Sequence, residues 1–143
     1  MNTATRLCAA AHPLAKNFVK RLPQMVPLTR AGQSFTFRFR GTHVAIYDVV
    51  GPAGGKVRVT LDGGAPRTVA RFDSYCTYPR LSVFTVGTDL EDREHVVTVE
   101  LTDEKVDKPA VLAQRKQKVD DPARFADHHA FPGAILLVGE LLP

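Results

Sequence analysis

Nucleophilic hydrolysis needs a serine or cysteine held by a histidine and an acid, and few residues in this sequence could take those roles. The serines are Ser34, Ser74 and Ser82. Ser34 and Ser82 fall in alternating segments, where an outward hydroxyl is ordinary, and Ser74 sits in a loop between Asp73 and Tyr75. Cys76 lacks any local signature of a histidine-activated nucleophile and reads as a packing residue. The run Asp127-His128-His129, with Asp120 and Asp121, carries metal-binding residue types. Adjacent histidines on a loop point in different directions, however, so a solvated polar loop is the simpler reading. Asp62-Gly63-Gly64 reads as a hairpin turn, since one carboxylate is too little for calcium. His43 and His95 open strands, where single histidines are surface groups or satisfied donors. No catalytic residue, metal or cofactor is assigned.

The richest polar cluster is Arg71, Asp73, Tyr75, Tyr78 and Arg80, within one proline-containing connection. Exposed aromatic rings stack on pyranose faces, and planar polar groups beside them bond to sugar hydroxyls. These five residues are therefore the expected ligand-binding set, with residues 71–80 as a glycan contact surface. The competing expectation is a small satellite core beneath a loop.

Strands must position that connection. From Ser34 to Phe39 the residues alternate, with Phe35, Phe37 and Phe39 on one face, and these three rings should dominate the core. Gly41-Thr42 is expected to end this strand, with a second over His43 to Val50. Lys56 to Leu61 alternates again, and Asp62-Gly63-Gly64 tolerates the positive φ of a hairpin leading into Pro66 to Phe72. Leu81 to Val86 and His95 to Leu101 supply two more strands across a polar, acidic link. Residues 102–133 interrupt the rhythm: Ala110 to Lys118 could form two helical turns, and Asp120-Asp121-Pro122 could cap a short helix at Ala123 to Asp127. Ala134 to Leu142 closes the sheet and alternates little, the pattern of a strand buried on both sides. Upstream, Leu14, Phe18 and Leu22 at i, i+4, i+8 predict a short N-terminal helix, which Pro23 and Pro27 turn into an extended arm reaching residue 30.

The whole predicts one all-β sandwich domain over residues 1–143, decorated by that helix and the 102–133 insert. Of 143 residues, 19 are Lys or Arg and 15 Asp or Glu, a formal charge of +4. The basic residues are scattered and the aromatics sit at core spacing without tryptophan, which argues against a nucleic-acid reader. No apolar run reaches the roughly 18 residues of a membrane span. Cys8 and Cys76 form no Cys-x-x-Cys and are expected as free thiols. Met1 to Ala11 lacks the apolar stretch of a secretory signal, and compartment and oligomeric state stay open.

The run Phe39-Arg40-Gly41-Thr42-His43-Val44-Ala45-Ile46-Tyr47, then Gly51-Pro52, then Val57-Arg58-Val59-Thr60-Leu61-Asp62-Gly63-Gly64, resembles β-sandwich modules attached to SGNH/GDSL-type esterases. Phe72-Asp73-Ser74-Tyr75-Cys76 and Leu90-Glu91-Asp92-Arg93-Glu94-His95-Val96-Val97-Thr98-Val99 continue the likeness, with Arg93 where glycine is usual. It covers residues 35–101 and the last strand. The resemblance implies a jelly-roll or galactose-binding-like sandwich that forms the non-catalytic accessory part of a carbohydrate-active hydrolase. Such a part binds glycan or packs on a catalytic domain to complete its cleft. The hydrolase's own Gly-Asp-Ser block is missing from this sequence, and Ala130 breaks the Asp-x-x-His spacing after Asp127. Two rival readings remain. One is an assembly module that binds a protein through the sheet edge and the insert, with contacts from Lys105 to Lys118. The other is a stand-alone esterase using Asp127, His128 and either Cys76 or Ser74.

Overall fold

A computed structural model describes Phe18, Leu22 and residues 25–143. The strands are β1 (Ser34–Val50), β2 (Lys56–Leu61), β3 (Arg67–Ala70), β4 (Arg80–Gly87), β5 (Arg93–Leu101) and β6 (Phe131–Leu141). Two short helices, α1 (Lys108–Ala113) and α2 (Pro122–Phe125), lie between β5 and β6. All strand pairings are antiparallel. The expected all-β sandwich is the architecture found.

The seventeen-residue β1 is the spine. Along one edge, β6 pairs from Phe39 to Val49; along the other, β5 pairs with Ser34 to Gly41 and β4 follows with Val44 to Val50. β2 and β3 extend the β5 side. The sheet curls so that Phe84 of β4 packs in one core with Val57 and Val59 of β2. Arg67 at the head of β3 donates to the Thr85 carbonyl of β4 at 2.5 Å. Phe37 and Phe39 are buried in this core and Phe35 is partly buried against it, as the alternation predicted.

The break expected at Gly41-Thr42 does not occur. Gly41 faces Gly139 of β6, and a Cβ at Gly41 would run into the Val138 carbonyl oxygen. Glycine here permits close backbone approach within a continuous strand, and the register slips by one residue between Gly41 and His43. By contrast, the hairpin at Asp62-Gly63 forms as its composition dictates, with φ of +54° and +67°.

β6 corrects a second expectation. It is no doubly buried strand: Leu136 and Val138 are 44% and 61% exposed. Its low alternation arises because both faces are apolar for different reasons. Ile135 and Leu137 face the core, while Leu136 and Val138 lie on the outer face shared with Ala45 and His43 of β1. Part of that outer face is covered by Phe18, Leu22 and Met25, which pack with Val49, Leu81 and Phe131. Most of the N-terminal helix predicted over 12–22 lies outside the described residues, as does Cys8. The opposite outer face is polar, with Arg38–Glu94 at 2.7 Å, Arg58–Glu100 at 2.9 Å and Thr36–Thr98 at 3.0 Å across strand pairs.

Both insert helices start earlier than predicted, each capped by aspartate with proline in the first turn. Asp107 accepts from the Ala110 amide at 3.2 Å, and Asp121 from the Ala123 amide at 3.1 Å. α1 stops at Ala113 because Lys116 takes a left-handed φ of +57°.

Candidate functional site

Residues 71–80 leave β3, turn at 74–77 and enter β4. Phe72 and Cys76 are buried in a satellite core with Val50, Val106, Leu112 and Phe125, so the insert packs beneath this loop. Cys76 is a free, fully buried thiol; burial pushes its pKa up, consistent with packing and not with attack.

Of the five predicted contact residues, Arg71 stands apart. It is 7% exposed and sits inside the curl of the sheet, on Asp48 of β1 and Ser82 of β4. Its Nε donates to Asp48 Oδ2 at 2.7 Å and its Nη2 to Asp48 Oδ1 at 2.8 Å and Ser82 Oγ at 3.3 Å. The guanidinium also lies 4.6 Å from the Phe84 ring centre. Arg71 therefore anchors the base of the loop and presents nothing to solvent.

The other four reach the surface, and Asp73, Tyr75 and Arg80 contact one another there. Asp73 pairs with Arg80 and accepts the Tyr75 amide at 2.9 Å, an arrangement that fixes the turn. Partial burial raises the Asp73 pKa, but the bonds from Arg80, Tyr75 and Cys76 outweigh it and hold the carboxyl below its usual value. Tyr75 and Tyr78 are 51% and 57% exposed. Tyr75 is not a bare platform, however. The insert brings Arg115 to 3.8 Å from its ring centre, with Nη1 donating to the phenol oxygen at 2.9 Å, and Arg80 lies 5.5 Å from the same ring. Arg124 of α2 donates to the Thr77 carbonyl at 2.5 Å and pairs with Asp120 at 2.9 Å. A hollow of about 240 Å³ is lined by Gly51, Pro52, Ala53, Pro79, Arg124 and Phe131.

One buried cation ties this surface together. Lys108, in the first turn of α1, donates to the carbonyls of Pro52 at 2.7 Å and Phe125 at 2.9 Å and also to that of Asp127. Burial lowers its pKa to about 8, and Asp127 opposes the shift. Beside it, His128 accepts the Val106 amide on Nδ1 at 3.2 Å. Burial, then Lys108, lowers the His128 pKa to about 4, so this imidazole is neutral. His129 lies 3.9 Å from Asp127 Oδ1 and 6.2 Å from the Phe131 ring centre, so the two histidines face different neighbours.

His95 is buried with both ring nitrogens bonded, Nδ1 to Asp62 Oδ2 and Nε2 to the Glu91 carbonyl, each at 2.7 Å. A carbonyl can only accept, so Nε2 carries a proton. Burial works against the imidazolium, but the bonds to Asp62 and Glu91 outweigh it and raise the pKa. Asp62 thus does more than turn a hairpin: Oδ1 also accepts the Val96 amide at 2.8 Å, locking the start of β5. Arg93 keeps negative φ and reaches Asp62 at 3.4 Å, so this turn needs no glycine.

Sequence reasoning missed Arg115, Arg124, Lys108 and Asp48. Arg115 stands in the basic run before Lys116 and Lys118, a visible signal with no visible destination. Nothing local marks Lys108 or Asp48 as buried.

No protein-family model matches the sequence, and no curated protein matches it. Solved structures do share its fold. A two-domain esterase active on acetylated mannans, co-crystallised with mannopentaose, aligns with TM-score 0.56 and 16% identity over 82% of this chain. A family two carbohydrate esterase from Cellvibrio japonicus gives 0.55 and 11% over 84%. A carbohydrate esterase family 2 enzyme with a carbohydrate binding domain, from Corynascus thermopiles (Myceliophthora fergusii), gives 0.50 and 21% over 82%. The fold is one that carbohydrate esterases contain. The chain spans only 28%, 28% and 27% of those three proteins, so the likeness is to a small part of each.

Proposed function

We propose that this chain is a non-catalytic accessory module of a carbohydrate-active SGNH/GDSL-type esterase, of jelly-roll or galactose-binding-like type, and that it binds glycan through Asp73, Tyr75, Tyr78 and Arg80. The observation that carries this reading is the surface itself. Two half-exposed tyrosines and a carboxylate-guanidinium pair stand on a loop pinned from below by Phe72, Cys76 and Arg71. An aromatic-polar surface of this kind suits pyranose rings, and the fold shared with parts of carbohydrate esterases supports the reading. Affinity electrophoresis through gels containing acetylated mannan or acetylated xylan tests it. The wild-type chain should be retarded, and Tyr75→Ala/Tyr78→Ala/Arg80→Ala should run as in a polysaccharide-free gel. Equal retardation of both proteins removes the site.

A second reading, docking on a protein partner, is favoured by the outer face of β4, β1 and β6. Val83, Leu136 and Val138 are exposed there side by side with a β6 edge that carries no lysine or proline from Ala134 to Leu141. Exposed apolar edges are normally covered in the working assembly. In this reading the partner is the catalytic domain, and light scattering of the chain alone against a mixture with that domain measures it. A mixture that scatters as two separate species rejects this reading.

A further inference from the structure

Arg80 and Arg124 pair with Asp73 and Asp120, but Arg115 has no carboxylate partner among the described residues. Between Asp107 and Asp120 the chain has no acidic residue, while Arg115, Lys116 and Lys118 are all on the surface or close to it. Arg115 is nonetheless held in place. Its guanidinium lies on the Tyr75 ring, with Nη1 committed to the phenol oxygen. That contact leaves the Nε and Nη2 donors uncommitted, and two adjacent N–H groups of a guanidinium match the two oxygens of a carboxylate. An arginine already immobilised by an aromatic ring loses less conformational freedom on binding than a free one. At α1 and the residues that follow it, a hollow of about 390 Å³ is lined by Pro109, Ala113, Lys116, Gln117, Lys118 and Val119, an apolar floor with two ammonium groups.

We propose that the Tyr75-Arg115 pair is a carboxylate receptor, and that the glycan this module prefers carries uronic acid residues. The proposal rests on the glycan-binding reading above and names its ligand class. A uronate carboxylate meets the open edge of Arg115, neighbouring pyranose units run past Tyr78, and Lys116 and Lys118 add attraction that salt screens. Arg115 covers one face of Tyr75, whereas among the described residues Tyr78 is an exposed tyrosine with no cation over its ring.

The test compares glucuronoxylan with the same polymer after its carboxyl groups are reduced to alcohols, using isothermal titration of the full chain. Binding to native glucuronoxylan should be about tenfold or more tighter, the scale of one charge-assisted bidentate pair. Arg115→Gln should reduce the preference to the remainder that Lys116 and Lys118 supply and that salt removes, and Arg115→Lys should keep a larger but wholly salt-sensitive part. Tyr75→Phe, which keeps the ring and loses the phenol bond, should fall between wild type and Arg115→Gln. Unchanged thermal unfolding of these surface variants confirms that each is folded. Equal affinity for native and carboxyl-reduced polymer overturns this proposal and leaves glycan binding standing, whereas no affinity for either polymer overturns both. Polyglutamate bound as tightly as glucuronoxylan would assign the surface to acidic peptides and overturn the glycan assignment.

Discussion

Replacing Asp48 with alanine leaves the Arg71 guanidinium buried with Ser82 Oγ and the Ala70 carbonyl, both at 3.3 Å, as its remaining acceptors. The side chains of Arg71 and Asp48 are 9% and 1% exposed, so water cannot replace the lost carboxylate without opening the interior of the curled sheet. Removing one partner of such a pair costs about 3–5 kcal/mol. For a chain of this size the loss lowers Tm by on the order of 10–20 °C. Burial is the largest influence on Asp48 and raises its pKa against the two bonds from Arg71. Desolvation of the pair is thus costly, and removing both charges relieves it. Asp48→Leu/Arg71→Met should therefore unfold within about 1–2 kcal/mol of wild type, although each charge deleted alone is severe. Urea denaturation of wild type, both single variants and the double variant, with slopes compared, gives the coupling energy. A cost below about 1 kcal/mol for Asp48→Ala, or a double variant that costs the sum of the singles, refutes the reasoning.

Three further outcomes follow from the same geometry. Lys108→Met leaves the carbonyls of Pro52, Phe125 and Asp127 without their donor; a loss of about 2–4 kcal/mol and faster amide exchange through α1 are expected, and a loss under about 0.5 kcal/mol would show the three bonds to be idle. Stability should fall at both ends of the pH range through two different histidines. His128 titrates lower when folded, at about 4 against 6.5, so the unfolded chain takes up its proton first and stability drains as pH falls through that window. His95 titrates higher when folded, so its contribution is complete below about 6.5 and disappears as pH rises through the raised value. A Tm–pH curve should lose its fall between about 6.5 and 4 in His128→Gln and its fall above about 6.5 in His95→Gln, and coincident curves for all three proteins would reject both assignments. Leu136→Lys/Val138→Lys should change stability by less than about 0.5 kcal/mol, since both side chains are exposed. A loss above about 2 kcal/mol in urea denaturation would mean that another part of this chain covers them.

Much of the scaffold was legible because its signals are local. Alternation placed Phe37 and Phe39 in the core, Asp62-Gly63 demanded a turn, and Asp121-Pro122 announced a helix start. The errors share one cause. Gly41 looked like a stop because glycine permits both turns and close approach, and the strand opposite, ninety-odd residues away, decides which. β6 looked buried because apolar residues on both faces do not say which face has a partner.

For the candidate site the division is sharper. The polar-aromatic run from Arg71 to Arg80 stands out by composition, and its emergence as a loop follows from Pro79 and the flanking strands. Which way each side chain points does not. Arg71 and Arg80 are chemically alike and nine residues apart, yet one is buried on Asp48 and the other lies beside Tyr75 at the surface. Arg115 reaches Tyr75 across forty positions of sequence, and Lys108 gathers carbonyls from Pro52 to Asp127. The amino-acid sequence by itself determined most of the strands, the Asp62-Gly63 turn and the residue types gathered between Arg71 and Arg80, because periodicity and turn chemistry act between near neighbours. Only the tertiary structure decided which charges are compensated and which remain open to a ligand, because compensation depends on distances between residues that the chain alone leaves far apart.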